Sequence, residues 1–238
     1  HRNDEVPTDI MRKFRDGLMR LGMDEPVQYI LGYAYFMNRN FSVNENVLIP
    51  RNDTEEMVQQ IIDEHPKNDL SICDIGTGSG IIAITLGIEF PEDDILATDI
   101  SKEALQVAQL NADNYQTNNV FFKQSDLFKS IDPQKFDIVV SNPPYIAEDE
   151  KKDMDPSVIK FEPDLALYGK DNGLEFYENI TQQIDNYLSD DGILYMEFGF
   201  RQKNAIKAIF RDNLPNYVVE FHKDISGNYR YLKAKKEM

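Results

Sequence analysis

The spacing of apolar positions along the chain predicts both helices and strands, and the order of these elements changes near residue 70. Between Thr8 and Leu21 they fall every three or four residues, which predicts one face of an amphipathic helix. Short apolar and aromatic runs then flank residues 38–40, which predicts a β-hairpin. From residue 70 onwards strand-like and helix-like patterns alternate. Such alternation predicts a mostly parallel sheet with helices on both faces, an α/β fold.

The second region contains seven predicted strands and four predicted helices. The strands are expected at 71–76, 94–100, 120–126, 136–142, 192–198, 217–224 and 229–235. The helices are expected at 80–90, 101–116, 171–188 and 201–213. Only Ile225-Ser226-Gly227-Asn228 joins the last two strands, which is too short for a crossover. We therefore expect these two strands to form an antiparallel hairpin at the C-terminal end.

Two further segments complete the pattern. Asp53 is followed three residues later by Glu56, the signature of a capping box, and this predicts a helix that runs through Ile62. Residues 143–170 are rich in Pro, Asp, Glu and Lys and lie between a predicted strand and a predicted helix. Because loops of this length are uncommon inside compact domains, we expect this segment to be functional or mobile.

Composition and charge narrow the possible functions. The 238 residues include 25 Lys and Arg against 42 Asp and Glu, so the formal net charge is −17. The first 40 residues carry six basic and six acidic side chains, so the acidity lies in the remainder. An extended footprint on a nucleic-acid backbone needs many basic side chains, so we expect a small molecule or a protein as partner instead.

The number and spacing of cysteines and histidines, and the short apolar runs, argue against a disulfide-rich, a metal-binding or a membrane-spanning protein. Cys73 is the single cysteine, which rules out a disulfide framework and a multi-cysteine metal site. His1, His65 and His222 lie far apart in the sequence, and we expect no metal centre. The longest apolar runs are too short to span a bilayer, and the chain does not open with a signal-peptide pattern. A cytoplasmic location without membrane contact is the expectation.

The first candidate site is a glycine-rich turn where a predicted strand meets a predicted helix. It reads Asp74-Ile75-Gly76-Thr77-Gly78-Ser79-Gly80. Glycines permit a tight turn and a close approach of a ligand to the backbone, and the first amides of the helix are unpaired donors. The third glycine follows the second by two residues, whereas a dinucleotide fingerprint needs three. The Gly-x-Gly-x-Gly form is typical of S-adenosylmethionine-dependent methyltransferases, although a turn without ligand remains an alternative.

Two acidic positions follow the next strands along the chain. Asp99 ends the strand after the glycine-rich turn, where a carboxylate can accept hydrogen bonds from both hydroxyls of a ribose. A helix cap is its alternative role, but Ser101 is itself a competent cap. Asp126 and Leu127 follow the third strand and can bracket an adenine, with Leu127 as its apolar surface. A turn-forming role for Asp126 is the alternative.

The fourth strand ends in Asn142-Pro143-Pro144-Tyr145, which indicates the type of reaction. Two consecutive prolines stiffen the backbone and remove two amide donors, so that carbonyl groups remain free to accept. The Asn142 side-chain oxygen and the Pro143 carbonyl can together receive both hydrogens of a planar amino group, and Tyr145 offers a face for stacking. The carboxyl end of a parallel strand is where open sheets bind ligands.

These stretches together resemble the methyltransferases with an Asn-Pro-Pro-Tyr motif, and most closely the protein-(glutamine-N5) methyltransferases of peptide chain release factors, the PrmC/HemK family. The resemblance covers most of the chain from residue 26 onwards. It is carried by Pro26–Gly32, Ile49–Glu55, Asp74–Gly80, Asn142–Tyr145, Glu162–Leu167 and Asp171–Leu174. The sequence departs from the family at Asn52, where the family typically has proline, and this departure should loosen the turn slightly.

The resemblance implies a fold and a division of the chain. The fold is a Rossmann-like, seven-stranded class I methyltransferase sheet with a C-terminal antiparallel hairpin. Residues 1–31 would be the remnant of an N-terminal helical substrate-docking domain, 32–48 a β-hairpin linker, and 49–238 the catalytic domain. Family members usually extend further upstream, so the docking domain is expected to be only partly present.

The resemblance also implies a reaction: methyl transfer from S-adenosyl-L-methionine to the side-chain nitrogen of the glutamine in the Gly-Gly-Gln loop of release factors, leaving S-adenosyl-L-homocysteine. Asn142, Pro143 and Tyr145 would be catalytic, and Pro144 would help to bind the substrate. The cofactor-binding set would be Gly76, Thr77, Gly78, Ser79, Gly80, Asp99, Asp126, Leu127 and Asn142. Two alternatives remain: a glutamine of a large-subunit ribosomal protein, and an adenine N6 or guanine N2 of a nucleic acid. The acidity argues against the nucleic acid.

Overall fold

A computed structural model describes residues 6–66 and 69–237 of the chain. Its centre is a seven-stranded sheet in the order β5-β4-β3-β6-β7-β9-β8, and β1 and β2 form a separate two-stranded sheet. Residues 1–5 of the predicted first part, which include His1, and Met238 of the predicted catalytic domain lie outside the described residues. The strands are β1 Tyr33–Phe36, β2 Arg39–Ser42, β3 Ser71–Ile75, β4 Asp94–Asp99, β5 Val120–Gln124, β6 Phe136–Ser141, β7 Leu188–Glu197, β8 Tyr217–Lys223 and β9 Tyr229–Lys236.

The sheet confirms the predicted fold class. Strands β3 to β7 pair in parallel, and helices connect β3 to β4, β4 to β5 and β6 to β7. β9 is antiparallel to both β7 and β8, which confirms the predicted C-terminal hairpin. The carboxyl ends of β3, β4, β5 and β6 therefore meet along one edge, where the order of strands reverses and ligands bind in open sheets of this type.

Ten α-helices and two 3-10 helices, Glu148–Asp153 and Ile184–Asn186, surround the strands in the described part of the chain. The α-helices are α1 Thr8–Leu21, α2 Val27–Leu31, α3 Asn52–Glu64, α4 Ile81–Glu89, α5 Lys102–Tyr115, α6 Pro156–Phe161, α7 Asp164–Leu167, α8 Lys170–Gly173, α9 Glu175–Thr181 and α10 Lys203–Asn213. One core cluster lies on the face covered by α3 and α4 and another on the face covered by α9 and α10. Apolar residues on both faces explain why the central strands have continuous apolar runs rather than alternating ones.

The N-terminal part has two kinds of surface. Helix α1 forms as predicted, but none of its residues is buried, and Phe14 and Leu18 are exposed. The β1–β2 hairpin also forms as predicted, and its Phe36 and Phe41 are fully buried in the same core as α3 and α4. The hairpin is thus packed onto the sheet-bearing part through aromatic side chains. The division at residues 31 and 48 stays a prediction.

The predicted capping box before Ile62 is wrong. The helix begins at Asn52, with Arg51 in the N-cap position and no side-chain cap, and it continues to Glu64. Asp53 therefore lies inside the first turn, where it forms an ion pair with Arg230 at 3.0 Å. A carboxylate in the first turn is favourable beside the helix dipole, and the long-range partner Arg230 cannot be inferred from local spacing.

The predicted helix 171–188 and the predicted loop 143–170 also need correction. Asp171 and Asn172 have left-handed φ values of 54° and 57°, so the helical segment Lys170–Gly173 is interrupted, and a regular helix follows only at Glu175–Thr181. Strand β7 already begins at Leu188. Residues 143–170 are not one long loop, because they contain a 3-10 helix and the short helices α6 and α7. Short helices of four to six residues are too brief to show periodicity.

Candidate active site

A cavity of about 550 Å³ lies at the carboxyl ends of β3, β4 and β6. Most of the residues that the sequence singles out line it, although they come from four separate stretches of the chain. These residues are Gly76, Thr77, Gly78, Ser79, Asp99, Asp126, Leu127, Asn142, Pro143 and Pro144. Gly80 and Tyr145 are not among its lining residues. The volume is in the range of pockets that hold a cofactor-sized molecule.

The three glycines of the turn have two different roles. All three have positive φ, 74° for Gly76, 57° for Gly78 and 81° for Gly80. A β-carbon on Gly76 or Gly78 would meet nothing within 4 Å, so both face open space in the cavity. A β-carbon on Gly80 would lie 2.7 Å from the Ile84 side chain and 3.1 Å from Ala108. The first two glycines thus form a cradle for a ligand, and the third allows α4 to pack against α5.

Asp74 supports this turn from below. Its side chain is completely buried, and its Oδ2 accepts hydrogen bonds from the Thr77 hydroxyl at 2.6 Å and the Ala83 amide at 3.3 Å. Burial raises the pKa of the Asp74 carboxyl to about 7, although the hydrogen bond from Thr77 opposes the shift. Because Thr77 lies within the glycine-rich turn and Ala83 in the first turn of α4, this carboxyl holds the turn against the start of α4.

Asp99 closes the cavity on the side of β4. Its Oδ2 accepts from the Gly78 amide and its Oδ1 from the Ser101 amide, both at 2.9 Å. Burial raises the pKa of Asp99, and the two amides oppose that shift. The alternative role as helix cap belongs to Ser101, whose hydroxyl accepts from the Ala104 amide. Each carboxylate oxygen has a second lone pair, so Asp99 can still accept from the two hydroxyls of a ribose.

Asp126 and Leu127 form the wall next to β5. Asp126 is paired with Lys129 and its side chain is partly exposed, so its carboxylate is available but only weakly held. Leu127 has a left-handed φ of 50°, which is uncommon for a residue other than glycine. The Ser125 hydroxyl donates to the Leu127 carbonyl at 2.7 Å and so supports this conformation. An apolar side chain in a strained turn at a cavity wall fits a flat ring.

Asn142 and the two prolines form the opposite wall. Asn142 is half-buried, and its Nδ2 donates to the hydroxyl of Thr54 at 3.2 Å. This contact places the nitrogen of the amide towards the protein and leaves Oδ1 as the group that a ligand can reach. Ser141, directly before it, donates from its hydroxyl to the Ile75 carbonyl at 2.7 Å, which joins the ends of β6 and β3. The Asn142 amide thus has a rigid base.

Behind Asn142 lies a buried carboxyl, Glu197, at the end of β7. The Thr54 hydroxyl donates to Glu197 Oε2 at 2.6 Å, and the Tyr145 hydroxyl donates to Oε1 at 3.4 Å. Burial, together with the nearby Asp53, raises the pKa of Glu197 to about 7. The Tyr145 hydroxyl therefore points to Glu197, and the stacking role assigned to Tyr145 from the sequence stays a prediction.

The rim of the cavity is held by an ion pair between two distant stretches. Arg51 Nη2 lies 2.6 Å from Oε1 of Glu162, whose side chain is 1% exposed. The other carboxylate oxygen of Glu162 accepts from the Ile49 amide at 3.0 Å. Together these contacts attach the segment before α3 to the segment between α6 and α7. Pro50, Arg51, Pro163 and Leu165 line the same cavity.

Thr54 and Glu197 are two residues of this site to which the sequence analysis assigns no role. A signal for Glu197 is present, since an acidic residue interrupts the apolar stretch Leu194-Tyr195-Met196-Glu197-Phe198 at the end of a strand. Acidic residues are rarely fully buried unless they are paired or functional. Thr54 has no comparable signal, because a threonine in a first helical turn is common.

Within residues 6–66 and 69–237, no group of three or more His, Cys, Asp or Glu side chains could hold a metal ion. Over the same residues, each helix is too short or too polar to cross a membrane.

The open backbone at Gly76 and Gly78 together with the Asp99 carboxylate fits S-adenosylmethionine, which presents a carboxylate, a ribose and an adenine.

The chain is similar in sequence to known methyltransferases. Residues 53–160 match the family model Methyltransferase small domain. The release factor glutamine methyltransferase of Lactococcus lactis is 48% identical over 216 residues, which cover 91% of this chain and 79% of that protein. The enzyme of the same name from Streptococcus pneumoniae is 41% identical over 229 residues, which cover 96% of this chain and 81% of that protein.

Among solved structures, a methyltransferase from Pyrococcus furiosus superimposes with a TM-score of 0.64 at 19% sequence identity. The match covers 94% of this chain and 99% of that one. At this level of identity the likeness concerns the fold, and it agrees with the strand order described above.

Proposed function

The chain belongs to the release factor glutamine methyltransferase family, and on that premise we propose that it methylates the side-chain amide nitrogen (N5) of the glutamine in the Gly-Gly-Gln loop of peptide chain release factors. The observation that carries this proposal is the Asn142 amide, whose nitrogen is bound by Thr54 and whose oxygen is left for a substrate. An amide acceptor next to two prolines suits a planar amide better than it suits a hydroxyl or a carboxylate.

The difficulty of the reaction explains why such an acceptor is needed. The nitrogen of a glutamine is a weak nucleophile, because its lone pair is delocalised into the carbonyl group. The Asn142 Oδ1 and the Pro143 carbonyl accept its two hydrogens and so point the nitrogen at the methyl group, which lowers the entropic cost of reaction. Their dipoles also stabilise the positive charge that develops on the nitrogen.

S-adenosylmethionine, when bound, supplies an electrophilic methyl group on a sulfonium sulfur. With this cofactor bound, the substrate nitrogen would form a bond to the methyl carbon as the carbon–sulfur bond breaks, and the electron pair of that bond would stay on sulfur in S-adenosyl-L-homocysteine. The proton then leaves the alkylated nitrogen for water, so no general base is needed before transfer. Gly76 and Gly78 hold the methionine part of the cofactor, Asp99 its ribose, and Asp126 with Leu127 its adenine.

The test is methylation of purified, unmethylated release factor with S-adenosylmethionine, followed by peptide mapping with mass spectrometry. We expect a single methyl group on the glutamine of the Gly-Gly-Gln loop. A release factor with Ala in place of that glutamine is the matched control and should remain unmodified. Methylation of a large-subunit ribosomal protein or of DNA or RNA, with the release factor unmodified under the same conditions, would contradict the proposal.

A further inference from the structure

A chain of three polar side chains runs from the cavity into the protein behind the substrate wall. Asn142 and Thr54 both line the cavity, although Thr54 is fully buried, and Glu197, 1% exposed and not part of the lining, lies behind Thr54. The Thr54 Oγ1 to Glu197 Oε2 distance is 2.6 Å, and the Asn142 Nδ2 to Thr54 Oγ1 distance is 3.2 Å. The first residue follows β6, the second is in α3, and the third ends β7, so the chain joins three separate elements.

The direction of these hydrogen bonds follows from the number of protons available. A threonine hydroxyl has one proton and two lone pairs, and here the proton is donated to the Glu197 carboxylate. The hydroxyl oxygen can then only accept, and the NH₂ group of Asn142 is the donor that satisfies it. If the Asn142 amide turned over, its oxygen would face the Thr54 oxygen without a proton between them. That arrangement leaves two polar atoms unsatisfied.

We propose that Thr54 and Glu197 are positioning residues that fix the orientation of the Asn142 amide, so that its oxygen always faces the substrate. The proposal rests on the proposed function, in which that oxygen orients the glutamine. Neither residue needs to touch the substrate or the cofactor for this role. An amide that turned over would present two donors to the two hydrogens of the substrate, and the productive complex would be lost.

Glu197 also forms a hydrogen bond with Tyr145, the last residue of the Asn-Pro-Pro-Tyr segment. The Tyr145 hydroxyl donates to its Oε1 at 3.4 Å, and the Tyr177 hydroxyl donates to its backbone carbonyl at 2.8 Å. One carboxyl is therefore connected to both Asn142 and Tyr145, the first and last residues of the Asn-Pro-Pro-Tyr segment. The two prolines between them have fixed φ angles. Hydrogen bonds at both ends therefore restrict the backbone of the whole Asn-Pro-Pro-Tyr segment.

The charge state of Glu197 gives this arrangement a pH dependence. Its raised pKa of about 7 comes from burial and from Asp53 on α3, and Arg230 on β9 and the hydroxyls of Thr54 and Tyr145 oppose it. Tyr177 on α9 also faces it. The protonated carboxyl can donate to the Thr54 oxygen, which frees the Thr54 proton to be donated towards Asn142. The amide can then take either orientation, so we expect transfer to increase as the pH rises through about 7.

Substitution of Thr54 is the main test. Thr54→Val keeps the shape and removes the hydroxyl, and we expect kcat to fall by about tenfold or more, with the Kd for S-adenosylmethionine and the KM for release factor changed by less than about twofold. Thr54→Ser restores a hydroxyl and should recover most of kcat. Thr85→Val is the matched control, since Thr85 is equally buried and its Oγ1 has no hydrogen-bond partner among residues 6–66 and 69–237. A Thr54→Val enzyme with the kcat of the wild type would overturn the proposal.

Glu197→Gln separates positioning from general stability. Glutamine carries a donor as well as an acceptor, so it no longer forces Thr54 to accept from Asn142. We expect a lower kcat and a pH profile without the increase near 7 that the wild type shows. An unchanged profile in this variant would show that Glu197 does not control the amide.

A measurement without substrate keeps the two proposals distinguishable. In ¹⁵N-labelled protein, the Asn142 side-chain NH₂ signals can be identified by their loss in Asn142→Ala. We expect slow hydrogen exchange in the wild type and in Thr85→Val, and exchange faster by about tenfold in Thr54→Val because the acceptor is gone. Equal exchange in wild type and Thr54→Val would overturn the positioning role, whether or not release factor is methylated. Methylation of another substrate with the expected exchange would contradict only the proposed function.

Discussion

The two walls of the cavity are built on the same plan but from very different distances along the chain. Under the glycine-rich turn, the buried Asp74 accepts from Thr77, three residues away. Behind the Asn-Pro-Pro-Tyr segment, the buried Glu197 accepts from Thr54, 143 residues away. Both threonine-to-carboxyl distances are 2.6 Å, and burial raises the pKa of both carboxyls to about 7.

The difference in sequence distance means that the two walls depend on different parts of the fold. The cofactor wall is formed by one strand–turn–helix unit and the ends of the next two strands along the chain, so it is complete once β3, α4, β4 and β5 have folded together. The substrate wall is complete only when α3, β6 and β7 have all reached their places. A cofactor site that forms locally and a substrate site that forms globally should respond differently to substitution, and the following predictions test this from the largest expected effect to the smallest.

Asn142→Ala removes the acceptor of the substrate wall. We expect methyl transfer to fall by about 100-fold or more, because a preorganised group that stabilises developing charge is lost. Binding of S-adenosylmethionine, measured by calorimetry, should stay within about twofold of wild type, since the glycine turn and Asp99 are unchanged. An equal loss of transfer and cofactor affinity would mean that the two walls are not separate.

Asp99→Ala does the reverse on the cofactor wall. Loss of hydrogen bonds to a charged group should weaken binding of S-adenosylmethionine by roughly 10- to 100-fold in calorimetry. Asp94→Ala is the control, because Asp94 begins the same strand and is exposed. If both variants bind the cofactor as wild type does, Asp99 has no role in the ribose site.

Gly173→Ala tests how firmly the substrate wall is supported from outside. Gly173 has a φ of 77°, and a β-carbon there would lie 2.0 Å from the backbone oxygen of Tyr145. We expect kcat to fall by about tenfold through displacement of the Asn-Pro-Pro-Tyr segment. Gly227→Ala is matched in backbone strain, with a φ of 87°, but its β-carbon would meet nothing within 4 Å.

The comparison of these two glycine variants isolates the steric clash. Both should lose about 1–2 kcal/mol of stability from the left-handed backbone, and Gly173→Ala should lose more because of its clash with Tyr145, measured by urea unfolding. Only Gly173→Ala should lose activity beyond that expected from its stability. Equal activity of the two variants would show that the Tyr145 backbone can move without affecting the substrate wall.

The pH dependence of stability is the smallest expected effect. A carboxyl whose pKa is raised in the folded protein binds its proton more tightly there than in the unfolded chain. Its contribution to the free energy of unfolding is therefore fully present below the pKa that the same carboxyl has in the unfolded chain. For Asp74, whose pKa is about 7 against an ordinary 3.8, this contribution is lost as the pH rises from about 4 through about 7. Asp74→Asn should flatten this part of the pH dependence in urea unfolding at pH 5 and pH 8. The same slope in both proteins would contradict the raised pKa.

The sequence contains most of the fold because strand and helix periods are local. The seven strands of the main sheet and helices such as α5 could be predicted, since each has a local residue pattern and is long enough to show it. Prediction failed where elements are short or interrupted: the kink at Asp171 and Asn172 requires left-handed backbone, and it divides what looks like one helix into two.

The same physical distinction applies to the site. The glycine turn, Asp99 and Asn142 could be found from the sequence because each stands at the end of a predicted strand, and the ends of parallel strands meet at one edge. The wrong capping box shows the limit, since Asp53 pairs with Arg230 instead of capping its own helix. Only the tertiary structure brings Thr54 and Glu197 together behind Asn142, because a hydrogen bond between residues 143 positions apart leaves no periodic trace in the sequence.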